Sequence, residues 1–298
     1  MEEWINSRLN PVGAIEVAHE RPWSTVLRVP VAHGTVWFKA CSAVQAFEPG
    51  LTARLYRRWP DRVSEVLDVD EEQGWLLLAD AGVPVRDRSN RPEDWLLALP
   101  AYAELQRGEA EHAADHLAHG VPDLRFEALP ERFHELLRTD LPLTEGERRR
   151  LSTFEPQFVD LCRTLTEHGI PSSIQHDDLH HNSLYVRGGE LRVLDWGDSS
   201  ISHPFASLVV TFRFLEEING LAPDDPWFAR LREAYLESWG PRLADTFALV
   251  LVVGTCAHAL ACVRRRDHLT EAQRARFDDD FRVVMRRALA RASFREHS

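Results

Sequence analysis

The chain has almost no lysine. Of its 35 lysine and arginine residues only Lys39 is lysine, so nearly all of its positive charge sits on guanidinium groups. Cysteine is scarce as well. Cys41, Cys162, Cys256 and Cys262 form no C-x-x-C pair, which excludes the usual zinc and disulfide frameworks and leaves reduced thiols. Positive charge is in deficit, with a net charge of -12, so neither nucleic acid nor an anionic membrane is an expected partner. Apolar runs are short. The longest, residues 247–263, is interrupted by Gly254, Thr255 and His258 and is expected as a buried helix, not a membrane span. The opening MEEWINSRL has acids where a signal peptide carries bases, and a cytoplasmic location is expected. No internal repeat or low-complexity linker occurs.

What is present suits two lobes. The 298 residues are 28% charged and 44% hydrophobic, enough to bury a sizeable core. Residues 12–17, 25–31 and 35–40 read as strands, with Ala32-His33-Gly34 as a turn. Residues 47–59 have helical spacing, with Leu51, Leu55 and Trp59 on one face and Pro49 tolerated in the first turn. Residues 63–69 and 75–78 return to strand. The remainder, residues 80–298, reads as helical, with segments at 93–107, 126–138, 148–168, 204–217, 226–239, 241–264 and 270–291. The expectation is therefore an α+β chain, with a β-rich lobe over residues 1–79 and a larger helical lobe over 80–298. His112, His116 and His119 lie in a polar, alanine-rich stretch and are expected to be solvated. The same holds for Arg264-Arg265-Arg266, whose neighbours alternate in charge.

The densest chemistry lies in residues 174–208, IQHDDLHHNSLYVRGGELRVLDWGDSSISHPFASL. A polar cluster, His176 to Ser183, leads into a strand. Gly188-Gly189 marks a hairpin turn, and the return strand delivers Asp195-Trp196-Gly197. The hairpin draws two acidic pairs together, Asp177/Asp178 and Asp195/Asp198. Carboxylates gathered in this way call for a cation or a shared proton.

This stretch resembles the catalytic core of the aminoglycoside phosphotransferases and choline kinases, relatives of the protein kinases. His176-Asp177-Asp178 matches their His-x-Asp loop, and Asp195-Trp196-Gly197 their metal-site motif. The resemblance implies a protein kinase-like two-lobe fold and transfer of the γ-phosphate of ATP or GTP to a hydroxyl of an amino sugar, amino alcohol or related metabolite. Residue roles follow from it. Asp178 is the implied base for the acceptor hydroxyl. Placing the base at Asp177 instead would put Asn182 at the family's asparagine position but lose the histidine. Asp195 is the implied Mg2+ ligand, with Ser183, or Asn182 swinging in, at the second metal position. Lys39 is implied at the nucleotide phosphates, paired with Glu48 or, as a weaker rival, Glu65. Glu48 reads equally well as an acid at a helix N-terminus. Ser24 lies in the expected phosphate-covering loop, where a turn-capping role competes. That loop has no G-x-G-x-x-G, which argues against a protein kinase. Asp80-Ala81-Gly82 stands where a hinge would meet the adenine. His176 is implied as a backbone support and His180 as a mild substitute for a phosphate-steadying lysine. Asp198 is assigned to the metal or the substrate. Glu216, Glu217, Asp224 and Asp225 are acids that an ammonium acceptor would favour, though a solvated face explains each. Ser183, and Ser207 where relatives carry an aspartate, mark a divergent subgroup. They support a competing reading, a kinase-fold nucleotide-binding protein with little or no catalysis.

Overall fold

The computed structural model describes residues 1–88, 91–188 and 190–293. In chain order its elements begin with α1 (Glu2–Asn6), β1 (Glu16–Arg21), β2 (Ser24–Val31), β3 (Gly34–Cys41), α2 (Glu48–Arg58), β4 (Val66–Asp70), β5 (Trp75–Ala79), β6 (Val83–Pro84) and α3 (Val85–Arg88). There follow α4 (Pro92–Glu109), α5 (Ala113–Ala118), α6 (Leu129–Leu137), α7 (Glu145–Glu167), β7 (Ser173–Gln175), β8 (Leu184–Arg187), β9 (Glu190–Val193) and β10 (Ser200–Ser202). The chain finishes with α8 (Ser207–Asn219), α9 (Pro226–Glu237), α10 (Ala244–Asp267) and α11 (Glu271–Ser293).

Two compact units result. One comprises Met1–Ala98, His119–Val121 and His180–Asp198, the other Leu99–Ala118, Pro122–Leu179 and Ser199–Ser298. The first unit therefore does not end at residue 79, and residues 80–82, expected as a hinge, lie inside it. Pairing explains the difference. β6 pairs with β8 at Val83–Val186, and Val63 bridges Val193, so the hairpin of β8 and β9 joins the N-terminal sheet's unit. Gly82, at φ 95, lets this happen, because a β-carbon there would stand 2.4 Å from the Val186 carbonyl oxygen. The hairpin's turn was expected at Gly188-Gly189; Gly189 lies outside the described residues.

In the first unit the sheet runs β1-β2-β3-β5-β4, antiparallel throughout. Its period of two sorts the side chains of β3. Val36 and Phe38 join Leu27, Val29 and Leu77 in a core closed by Ile5 of α1, with Trp4 and Trp75 against it. Lys39 falls on the opposite face, across from Val26 and Leu76. The first strand forms at 16–21, not 12–17, because the tight Arg21–Ser24 turn sets its register against β2.

The second unit is helical. α7 opens on a capping box in which the Thr144 hydroxyl accepts the Glu147 N–H and the Glu147 carboxylate accepts the Thr144 N–H. α10 is long and apolar enough to cross a membrane, but 72% of its most apolar window is buried inside the protein. His116, expected in solvent, is fully buried beside Glu109 at 2.7 Å. Two buried polar groups that pair with each other satisfy the demand that the surface reading overlooked.

Candidate active site

Lys39 organises the cluster in the first unit. Its Nζ lies 2.7 Å from one Glu48 oxygen and 2.8 Å from the other, and 2.5 Å from Asp195 Oδ1. Each partner arrives by a separate route. β3 delivers Lys39, the first turn of α2 delivers Glu48, and the end of β9 leads to Asp195, which adopts a left-handed backbone at φ 65. Lys39 is 8% exposed and Glu48 1%. Burial opposes the lysine's charge, but Asp195 and Glu48 outweigh it, holding the ammonium's pKa well above its ordinary range. Burial pushes Glu48 up, against the pull of Lys39. Glu65, the rival partner, stands 3.9 Å from Arg187 instead.

Gly197 leaves room for the ends of the Gln45 and Glu48 side chains. A β-carbon there would lie 2.6 Å from Glu48 Oε2 and 2.5 Å from Gln45 Cδ. Gln45, which sequence reasoning missed, donates from Nε2 to Asp198 Oδ1 at 3.1 Å. Cys41, also missed, donates its thiol to Glu48 Oε2 at 3.3 Å. Ser24 opens β2 opposite Cys41, two residues before Val26, and so shares the sheet face of Lys39.

The metal positions differ in their fit. The Asp195 side chain is 62% exposed, so its carboxylate suits a hard cation. Ser183 is 3% exposed, and its hydroxyl both donates to the His180 carbonyl and accepts the His180 N–H, each at 2.9 Å. That hydroxyl is engaged in closing its own loop. Asn182 is exposed, and its N–H donates to His180 Nδ1 at 3.0 Å. Among the described residues no group of three or more His, Cys, Asp or Glu side chains is arranged to hold a metal.

The His-Asp-Asp loop belongs to the second unit. Asp177 is 1% exposed with φ 60, and its Oδ1 is held by Gln175 Nε2 at 2.8 Å and His258 Nδ1 at 3.1 Å. Asp178 is only partly buried, and its N–H donates to His176 Nδ1 at 3.3 Å. The two neighbours thus divide, Asp177 locked inward and Asp178 only partly buried. A buried polar network fixes the loop. The His176 N–H donates to the Tyr102 hydroxyl at 3.0 Å, which pairs with Ser207 Oγ at 2.8 Å. Gln106 ties in from α4, donating to the Ile174 carbonyl at 2.8 Å and accepting the Tyr235 hydroxyl at 2.5 Å. Ser207 thereby has a structural use. Of the acids at the end of α8 and beyond, Glu217 pairs with Arg287 and Asp225 caps α9 through the Trp227 N–H.

The antiparallel sheet and helical remainder are those of the kinase-like small-molecule phosphotransferase fold. The choline kinase LicA from Streptococcus pneumoniae superposes with a TM-score of 0.68 at 14% identity, over 98% of this chain and 97% of that one. A choline/ethanolamine kinase family protein from Mesorhizobium loti gives 0.64 at 17% identity, over 98% and 93%. APH(2")-IIia, solved with GDP and kanamycin, gives 0.64 at 15% identity, over 97% and 98%. Residues 50–247 match the phosphotransferase enzyme family, and the chain belongs to that family. No curated protein matches it significantly.

Proposed function

We propose that the protein is a small-molecule kinase that transfers the γ-phosphate of ATP or GTP to a hydroxyl of an amino sugar, amino alcohol or related metabolite. The observation that carries the reading is the Lys39 ammonium held between buried Glu48 and exposed Asp195. Glu48 keeps the ammonium extended and charged, and Lys39 then meets phosphate oxygens as a compact point charge. Asp195 would hold Mg2+, which when bound neutralises charge on the transferring phosphate. Ser24 fits the phosphates only as a backbone-proximal hydroxyl on the same face. Asp178 orients the acceptor hydroxyl and takes its proton; it is only partly buried, whereas Asp177 is buried and held by Gln175 and His258. The competing reading, nucleotide binding without catalysis, draws on Ser183, whose hydroxyl is already engaged. The partly exposed Asp178 weighs against it.

The test is nucleotide turnover over a panel of hydroxyl acceptors, with Mg2+-nucleotide binding followed in parallel by thermal shift. Asp178→Asn is expected to abolish transfer and leave nucleotide binding nearly intact. Asp195→Asn is expected to weaken both. Normal transfer by Asp178→Asn together with its loss in Asp177→Asn would move the base to Asp177. Mg2+-dependent nucleotide binding with no transfer to any acceptor would favour the binding protein.

A further inference from the structure

The reaction proposed above makes no use of Cys262, yet the structure surrounds that thiol with charge. In α10, His258, Cys262 and Arg265 follow the i, i+4 and i+3 spacing that stacks side chains on one helix face. His258 Nε2 lies 3.8 Å from Cys262 Sγ, and Arg265 Nη2 lies 3.3 Å from the same sulfur. The other ring nitrogen, His258 Nδ1, meets Asp177 at 3.1 Å. From α8, Arg213 Nη1 approaches His258 Nε2 to 3.4 Å, and a cavity of about 240 Å³ opens beside the imidazole, lined in part by Arg213, Glu216 and Thr255.

The chemistry follows from the burial of Asp177. A carboxylate 1% exposed demands a cationic or donating partner, and His258, itself 5% exposed, supplies it. Burial opposes the imidazole's charge, but Cys262 and Asp177 prevail and lift His258 to about 10. The imidazole then turns its second ring nitrogen, Nε2, towards the sulfur. For Cys262 burial again works against ionisation, and His258 and Arg265 outweigh it, leaving the thiol below its usual range. The remaining cysteines go the other way. Burial raises Cys41, Cys162 and Cys256, and the acid Glu48 adds to the effect at Cys41. Cys162 and Cys256 are buried, whereas Cys262 is partly exposed.

We propose that Cys262 is a modification site for peroxides and other small electrophiles, its sulfur set between Arg265 and an imidazole oriented by Asp177. With a peroxide, the thiolate sulfur attacks one peroxide oxygen; the S–O bond forms as the O–O bond breaks. Hydroxide leaves and takes a proton from the imidazolium or solvent to become water. The sulfur is oxidised by two electrons to a sulfenic acid, and the peroxide is reduced.

Brief alkylation of the intact folded protein with iodoacetamide at pH 7, read by peptide mass spectrometry, tests the assignment. Cys262 is expected to label at least about tenfold faster than Cys41, Cys162 or Cys256, and pretreatment with hydrogen peroxide is expected to block that label. Arg265→Gln and His258→Gln should each slow Cys262 labelling by about tenfold, with melting curves identifying the folded variants. Should His258→Gln fail to fold, Arg265→Gln carries the comparison. Labelling of Cys262 no faster than the other three, or a rate unchanged in Arg265→Gln, overturns the proposal. Labelling requires no phosphate transfer, so this result stands apart from the proposed reaction.

Discussion

Replacing Lys39 by methionine leaves the shape of the stem and removes its charge, which isolates the electrostatic role of the Lys39–Glu48 pair. Two ion pairs are lost, and they differ in weight. The Asp195 side chain is 62% exposed, so its pairing is screened and contributes less than about 1 kcal/mol. Glu48 is 1% exposed, and removing the partner of a buried charge costs about 3–5 kcal/mol if the charge persists. It need not persist, because the carboxylate can take a proton. Protonating a carboxyl group of ordinary pKa 4.5 at pH 7 spans 2.5 units, or about 3.4 kcal/mol at 1.36 kcal/mol per unit. That sets the ceiling. Glu48 is already above its ordinary value in the wild type, so the added deficit falls somewhat below it, at about 2–3 kcal/mol.

The pH dependence fixes the cause. In Lys39→Met the folded-state pKa of Glu48 rises further above its unfolded value, so the folded state binds the proton more tightly. Stability is then retained below the unfolded value of 4.5 and lost as pH rises towards the folded-state pKa. Urea denaturation at pH 5 and pH 7 should show a deficit that grows with pH, and adding Glu48→Gln should recover most of it. A deficit under about 1 kcal/mol at pH 7, or one that is the same at both pH values, would refute the reasoning.

Gly197→Ala is expected to displace the ends of the Gln45 and Glu48 side chains, costing about 1–3 kcal/mol by denaturation and cutting turnover at least about tenfold as Glu48 leaves Lys39. Ser183→Ala removes the hydroxyl that serves both backbone groups of His180, and should cost about 1–3 kcal/mol. Mg2+ affinity, measured by thermal shift with nucleotide, should stay unchanged in that variant if the hydroxyl closes the loop and ligates nothing.

What was legible in the sequence is what lies close together along it. The strands of the first lobe announce themselves by alternation and turn residues, and the 174–208 motif by a run of groups that share one chemistry. Glu48 was legible as a partner because nine residues separate it from Lys39, at the end of a strand and the start of the next helix. Gln45 lacked such a cue. Its use depends on Asp198, which the chain reaches only after six more strands and the long helices between them. The α1 helix had a weak signal, Ile5 and Leu9 at i, i+4 spacing, in a segment so short that only packing against the sheet makes it helical.

The Asp177/Asp178 ambiguity was of another kind, because adjacent carboxylates are chemically identical until burial separates them. A signal for the burial of Asp177 was nonetheless present elsewhere. His258 stands in the most apolar helix of the chain, and a polar ring at such a position requires a partner of its own. Asp177 is that partner. Its left-handed backbone, costly for a residue with a β-carbon, is held in place by His258 and Gln175. A histidine 81 residues distant thus fixes which of two neighbouring aspartates is held inward.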